Sequence, residues 1–244
     1  MTVSEGPGPS RDRASSVDAV LFDLDDTLCR YRRPGSEVLR EAFSKAGVSP
    51  FFTPEEYGDR YRTYLEGSTD IETLRETCFG DIATEKGLDR EVGIAVARAY
   101  ASVRDQRNVE PLPGADRVVS ELADSYRLGL VTNGGPTMQR RKLNALGLDS
   151  AFDVTVFAGY DTAPKPDPEP FVVALDELGT TPDEAVYVGN SLSSDVAGAS
   201  AAGLRSVWIP VEDDDGESPA QIPEYRVNSL EELQQPPWLS DRSR

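Results

Sequence analysis

A chain of 244 residues with 38% hydrophobic residues is long enough for one sizeable core and a smaller second one. Its 43 acidic residues against 25 Lys and Arg give a formal charge of -18, a field that repels nucleic acid and anionic membrane surfaces, so neither is an expected partner. No apolar run approaches the roughly 18 residues of a spanning helix, and MTVSEGPGPSRDRASS at the start lacks a signal-peptide apolar segment, which makes the cytoplasm the expected location.

Cys29 and Cys78 stand far apart, without the spacing of a zinc site or a disulfide framework, and read as reduced, buried residues. The chain contains 0 histidines, so acid and base chemistry near neutral pH falls to carboxylates, lysines or metal-bound water. The acidity has two readings, a solvation strategy for a salt-rich cytoplasm or a functional electrostatic surface; its spread along the chain, with the densest run EDDDGE at 212–217 in a loop, favours the first.

Residues 1–16, rich in Gly, Pro, Ser and charge, read as a mobile arm. VDAVLFDL at 17–24 is a short apolar run with β-formers that ends in acidic residues, the pattern of a buried parallel strand. Similar runs follow at 128–132, 154–158, 185–189 and 205–209, and the stretches at 114–126, 135–147, 167–179 and 193–203 between them carry helical patterns with Pro starts or Gly stops. This alternation predicts an α/β fold, a doubly wound parallel sheet of Rossmann-like type. The segment 34–108 has helical patterns and no convincing strand, and is far longer than a normal crossover, so it reads as a small all-helical domain inserted after the first strand. The expected division is a catalytic core over 17–33 and 109–235, a helical cap over 34–108, and a C-terminal tail over 236–244.

Ligands of an open α/β sheet bind beyond the carboxyl ends of its strands, so the residues terminating the apolar runs should converge. Those residues are Asp23 and Asp25, then Thr132 and Asn133 before Gly134 and Gly135, then Lys165, then Asn190 with Asp195 five positions on. Two neighbouring carboxylates repel unless a cation sits between them, which favours a hard, oxygen-liganded ion such as Mg²⁺. A hydroxyl, an amide-rich Gly turn and a lysine supply donors for an anion, and the set suggests phosphoryl transfer. Asp26 reads as facing away from Asp25.

In order and spacing these four segments resemble the four motifs of the haloacid dehalogenase-like superfamily, over about residues 17–210. The resemblance implies a Mg²⁺-dependent hydrolase of small phosphorylated metabolites acting through an aspartyl-phosphate. It makes Asp23 the nucleophile, Asp25 the general acid/base, Thr132 with Asn133 the phosphate-binding turn, and Lys165 the neutralising lysine. Asn190 and Asp195 fall in the metal-binding motif beside Asp23 and Asp25. Gly189-Asn190 departs from the Gly-Asp usual there, leaving the site one charge short and the direct ligand open between Asn190 and Asp195. The alternatives are a 2-haloacid dehalogenase, against which Asp25 speaks, and a catalytically silent binding protein on the same scaffold. The sequence names neither the substrate nor the oligomeric state.

Overall fold

The structure, a computed structural model, describes residues 17–65, 71–211 and 222–243. The arm at 1–16 and the acidic run at 212–217 lie outside the described residues.

Six parallel strands make the main sheet: β1 (Ala19–Phe22), β4 (Arg127–Asn133), β5 (Val154–Ala158), β6 (Ala185–Gly189), β7 (Arg205–Trp208) and β8 (Tyr225–Arg226), in spatial order β5-β4-β1-β6-β7-β8. Both faces are covered, which is why these strands read as unbroken apolar runs. In β1, Val20 and Phe22 enter one core cluster with Leu130, Val186 and Val188, while Ala19 and Leu21 enter the other with Val131, Phe171 and Tyr187. Each large apolar side chain fully buried this way contributes about 1.5–3 kcal/mol. α5 (Ala115–Ala123), α6 (Pro136–Leu146), α7 (Glu169–Leu178) and α8 (Ala197–Ala201) connect the strands. α6 starts with Pro136 at its first position and stops at Gly147, whose left-handed backbone (φ 70°) lets its N–H reach back to the carbonyls of Leu143 and Asn144.

β1 lies between β4 and β6, so the chain leaves it in one direction and later returns on the other side. That reversal opens a crevice at the carboxyl ends of β1, β4 and β6.

The long insertion holds four helices, α1 (Gly35–Ala46), α2 (Pro54–Leu65), α3 (Ile71–Glu85) and α4 (Arg90–Val103), around a separate core of Phe43, Phe52, Phe79 and Tyr100. Phe52 and Phe79 meet edge to face at 4.7 Å. α3 and α4 approach so closely that a Cβ on Gly93 would fall 2.1 Å from the Phe79 carbonyl oxygen. Two short strands bracket these helices, β2 (Cys29–Tyr31) and β3 (Val109–Pro111), paired antiparallel with Tyr31 opposite Val109.

Three short strands, β2, β3 and β8, are absent from the sequence expectation. The expected tail at 236–244 also differs: Pro237–Ser243 forms a 3-10 turn, and Trp238 is 2% exposed, packed on Tyr126 and Tyr225 with its indole N–H on the Tyr126 hydroxyl at 3.2 Å. An isolated apolar residue in a polar segment gives no periodic signal, and tertiary packing decides its fate. Cys29 and Cys78 are both buried and free. Among the described residues no helix is long and apolar enough to cross a membrane.

Candidate active site

Asp23 follows the last residue of β1, and its N–H donates to the Val188 carbonyl at 2.9 Å, prolonging the β1–β6 ladder by one step. The strand conformation then ends. Asp26 takes a left-handed backbone, φ 59°, tolerated by Asp but uncommon, and its side chain is exposed. Asp23 and Asp25 therefore do not share one partner.

Asp23 Oδ1 accepts from Lys165 Nζ at 2.7 Å, and Oδ2 lies 3.3 Å from the Thr27 hydroxyl. Lys165 is 4% exposed and also reaches Asp195 Oδ1 at 2.7 Å, the Val131 carbonyl at 2.9 Å and the Tyr187 hydroxyl at 2.8 Å. Asn133 locks the backbone of this lysine, its side-chain amide donating to the Lys165 carbonyl at 2.9 Å and accepting from the Lys165 N–H at 2.8 Å. Asn133 thus shapes the loop.

Asp25 meets a different cation. Lys142 Nζ, on α6, donates to both its oxygens at 2.6 and 2.7 Å, and Gln139 Nε2 donates to Oδ2 at 2.9 Å. The same Gln139 nitrogen lies 2.7 Å from Thr132 Oγ1. Each carboxylate thus has its own buried lysine, Lys165 for Asp23 and Lys142 for Asp25, so the two do not need a cation between them as their spacing alone suggested.

Burial pushes the Asp23 carboxyl up to about 7, with Lys165 opposing and Asp195 reinforcing the rise. Burial also raises Asp25, but the Lys142 charge and the hydrogen bonds of Lys142 and Gln139 outweigh it and hold Asp25 below the usual carboxylate range. Burial lowers both ammonium groups, but Asp195 and Asp23 raise Lys165, and Asp25 raises Lys142, above the ordinary lysine value.

The two fourth-motif oxygens are distinguished by their partners. Asp195 Oδ2 accepts from the N–H groups of Asn190 at 3.1 Å and Ser191 at 2.9 Å, while Oδ1 faces Lys165. Both oxygens are held inside the fold, where Asp195 is a counter-charge to Lys165 and braces the loop at Asn190 and Ser191. A Cβ on Gly189 would stand 2.6 Å from that carboxylate, which is why the residue before Asn190 has no side chain. Asn190 Oδ1 lies 3.1 Å from Thr27 Oγ1, the hydroxyl that also neighbours Asp23 Oδ2. One hydroxyl hydrogen serves only one of these two acceptors at a time, leaving an oxygen-rich spot short of a donor. The hard donors suit Mg²⁺ in kind. They are sparse in charge: among the described residues no cluster of three or more His, Cys, Asp or Glu side chains has the arrangement of a metal site.

Thr27, Gln139, Lys142 and Tyr187 were not among the sequence candidates. Gln139 and Lys142 share a face of α6 with buried Leu143, a polar pair in an otherwise inward stripe, and that was the available signal. Tyr187 lies inside the apolar run AVYVG and reads as core.

The parallel sheet thus carries a buried carboxylate-lysine cluster of Asp23, Lys165 and Asp195 at its switch point. The family model of haloacid dehalogenase-like hydrolases matches residues 17–203. The chain is 32% identical to a phosphoserine phosphatase of Thermus thermophilus, covering 88% of this chain and 96% of the relative. It is 31% identical to a glyceraldehyde 3-phosphate phosphatase of Methanopyrus kandleri, over 89% of this chain and 95% of that one. In fold it resembles the magnesium-bound hydrolase YfnB of Bacillus subtilis, with a TM-score of 0.71 at 24% identity over 91% of this chain and 98% of that one. The chain belongs to the haloacid dehalogenase-like hydrolases. It is an enzyme of the phosphatase type.

Proposed function

We propose that the protein hydrolyses phosphate monoesters of small metabolites through a phosphoryl group carried on Asp23. The observation that carries this reading is the Asp23 carboxylate at the switch point, charge-matched by Lys165 and neighboured by the Thr27 hydroxyl, with Asp25 linked through Gln139 to the Thr132 hydroxyl at the end of β4. One Asp23 oxygen attacks phosphorus while the bond to the ester oxygen breaks, and Asp25 gives that oxygen a proton. Because Lys142 keeps Asp25 ionised at rest, we assign the proton to the acidic hydroxyl of a substrate monoanion, relayed through Asp25 to the leaving oxygen as the ester bond breaks and that oxygen becomes basic. Asp25 then takes a proton from water as the water oxygen attacks phosphorus and the bond to the Asp23 oxygen breaks; the proton passes to the released inorganic phosphate, restoring both Asp23 and Asp25 as carboxylates. Thr132 donates to a phosphoryl oxygen, and Lys165 holds the Asp23 carboxylate in place.

In this reading Asp23, the main-chain carbonyl of Asp25 and Asn190 would hold Mg²⁺, with Asp195 outside the set. When bound it neutralises phosphoryl charge. The relatives act on phosphoserine and glyceraldehyde 3-phosphate by their names, and we take a small phosphorylated metabolite as the substrate class here. Asp25 disfavours carbon-halogen hydrolysis, since a halide leaving group needs no proton.

The test is turnover of p-nitrophenyl phosphate with Mg²⁺ and of a panel of phosphorylated metabolites. Asp23→Asn should reduce turnover below detection, and near wild-type rates in that variant would falsify the reading.

A further inference from the structure

We infer that Gln139 and Lys142 are a positioning pair, aiming the Asp25 carboxylate at the leaving oxygen and turning the Thr132 hydroxyl outward as a donor. This rests on the phosphatase reading and adds two residues to it. They lie three positions apart on α6, one below the other on its inward face, and are 0% and 1% exposed.

The orientation of the Gln139 amide follows from its neighbours. A carboxylate only accepts, so the end facing Asp25 Oδ2 at 2.9 Å is the NH₂ group, and its second hydrogen serves Thr132 Oγ1 at 2.7 Å. The opposite end, Oε1, is then buried without a hydrogen-bond partner. A buried orphan acceptor costs stability, and apolar filler of the same shape avoids that cost. What the arrangement gives is geometry: one rigid amide spans the acid/base and the phosphate-binding hydroxyl. Since Thr132 Oγ1 accepts from Gln139, its own single hydrogen is directed elsewhere, and among the described residues no acceptor takes it.

Lys142 completes the arrangement. Two of its N–H groups hold the two Asp25 oxygens at 2.6 and 2.7 Å, and its ammonium sits 4.7 Å from the centre of the Tyr31 ring. Tyr31 belongs to β2, donates its hydroxyl to Gln106 and carries Arg104 over its ring at 4.1 Å. Through Tyr31, Lys142 is therefore anchored at the root of the helical insertion.

The experiment compares kcat and KM of Lys142→Met, Lys142→Arg and Gln139→Leu on an alkyl phosphate and on p-nitrophenyl phosphate, with inhibition by inorganic phosphate and thermal unfolding measured on each. General acid assistance is worth about 100-fold or more on a poor leaving group and little on a good one, so in Lys142→Met kcat on the alkyl ester should fall at least about 10-fold more than on the aryl ester. Lys142→Arg should recover part of that ratio. Gln139→Leu should shift the ratio in the same direction and raise the phosphate inhibition constant about 10-fold, as the Thr132 donor loses its orientation. Equal falls on both esters, or an unaltered inhibition constant in Gln139→Leu, would overturn the inference while leaving the phosphatase reading to the Asp23→Asn test. If Lys142→Met does not fold, the neutral swap in Gln139→Leu decides by the same two readouts.

Discussion

The site contains two buried lysines with opposite surroundings. Lys165 is enclosed by two carboxylates, a carbonyl and a phenol, all far from it in sequence, and its partners Asp23 and Asp195 are 6% and 2% exposed. Lys142 holds a single carboxylate whose side chain keeps 36% of its exposure. The difference separates two tasks that look alike on paper. The Lys165 cluster is part of the core and is rigid because every group in it depends on the others, whereas Asp25 stands at the rim, where a proton acceptor must meet both substrate and water.

Breaking the two clusters should reveal this. Lys165→Met strands Asp23 and Asp195 as buried like charges, and the loss of a buried partner costs about 3–5 kcal/mol. Lys142→Met leaves a carboxylate that water reaches, for which about 1 kcal/mol is expected after solvent screening. Urea unfolding of both variants tests this order, and equal losses would erase the contrast.

The pH dependence of stability sharpens it further. Asp23, at 3.8 unfolded and about 7 folded, binds more protons in the native state, so its contribution is present at low pH and lost as pH rises through about 7. Asp25, lowered in the fold, contributes stability above its unfolded value and loses it in acid, below the Asp23 window. Metal-free protein should therefore melt at progressively lower temperature from about pH 5 to pH 8, and Asp23→Asn should flatten the trend. A slope untouched by that substitution would mean the elevated group lies elsewhere.

A smaller effect is expected at Asn190, where the donor set is a charge short. Asn190→Asp should lower the half-saturating Mg²⁺ concentration for turnover, because a full charge attracts a divalent ion more than an amide dipole does. Turnover itself need not rise, since the added charge also repels phosphate. An unchanged Mg²⁺ requirement would remove Asn190 from the ligands. The smallest effect is that of salt: a formal charge of -18 repels itself, and molar KCl shortens the screening length to about 3 Å, so the melting temperature should climb by a few degrees.

The strands of the main sheet were legible because burial on both faces leaves an unbroken apolar run, and 154–158 and 185–189 coincide with β5 and β6. β2, β3 and β8 were not, since strands of three, three and two residues are too short to show a period. The strand-end residues Asp23, Thr132 and Asn190 were visible from where the apolar runs stop, whereas Lys165, beyond β5 and past Ala163-Pro164, was picked out by the motif resemblance. Lys142 was hidden among Arg140 and Arg141, because one basic residue in a row of three looks like its neighbours until the helix is docked. Asp195 was found, but its use was not, as its hydrogen bonds depend on a loop conformation that the sequence does not announce.

That conformation is a π turn over Leu192–Val196, a helical turn holding one residue more than an α turn needs. Each α-helical residue advances about 100° around the axis, so removing one residue between Asn190 and Asp195 would straighten the helix and swing the acid away from Lys165 by roughly that angle. Loop length here is thus an angular setting: a shortened variant could keep every named side chain and still leave the lysine facing an empty quadrant.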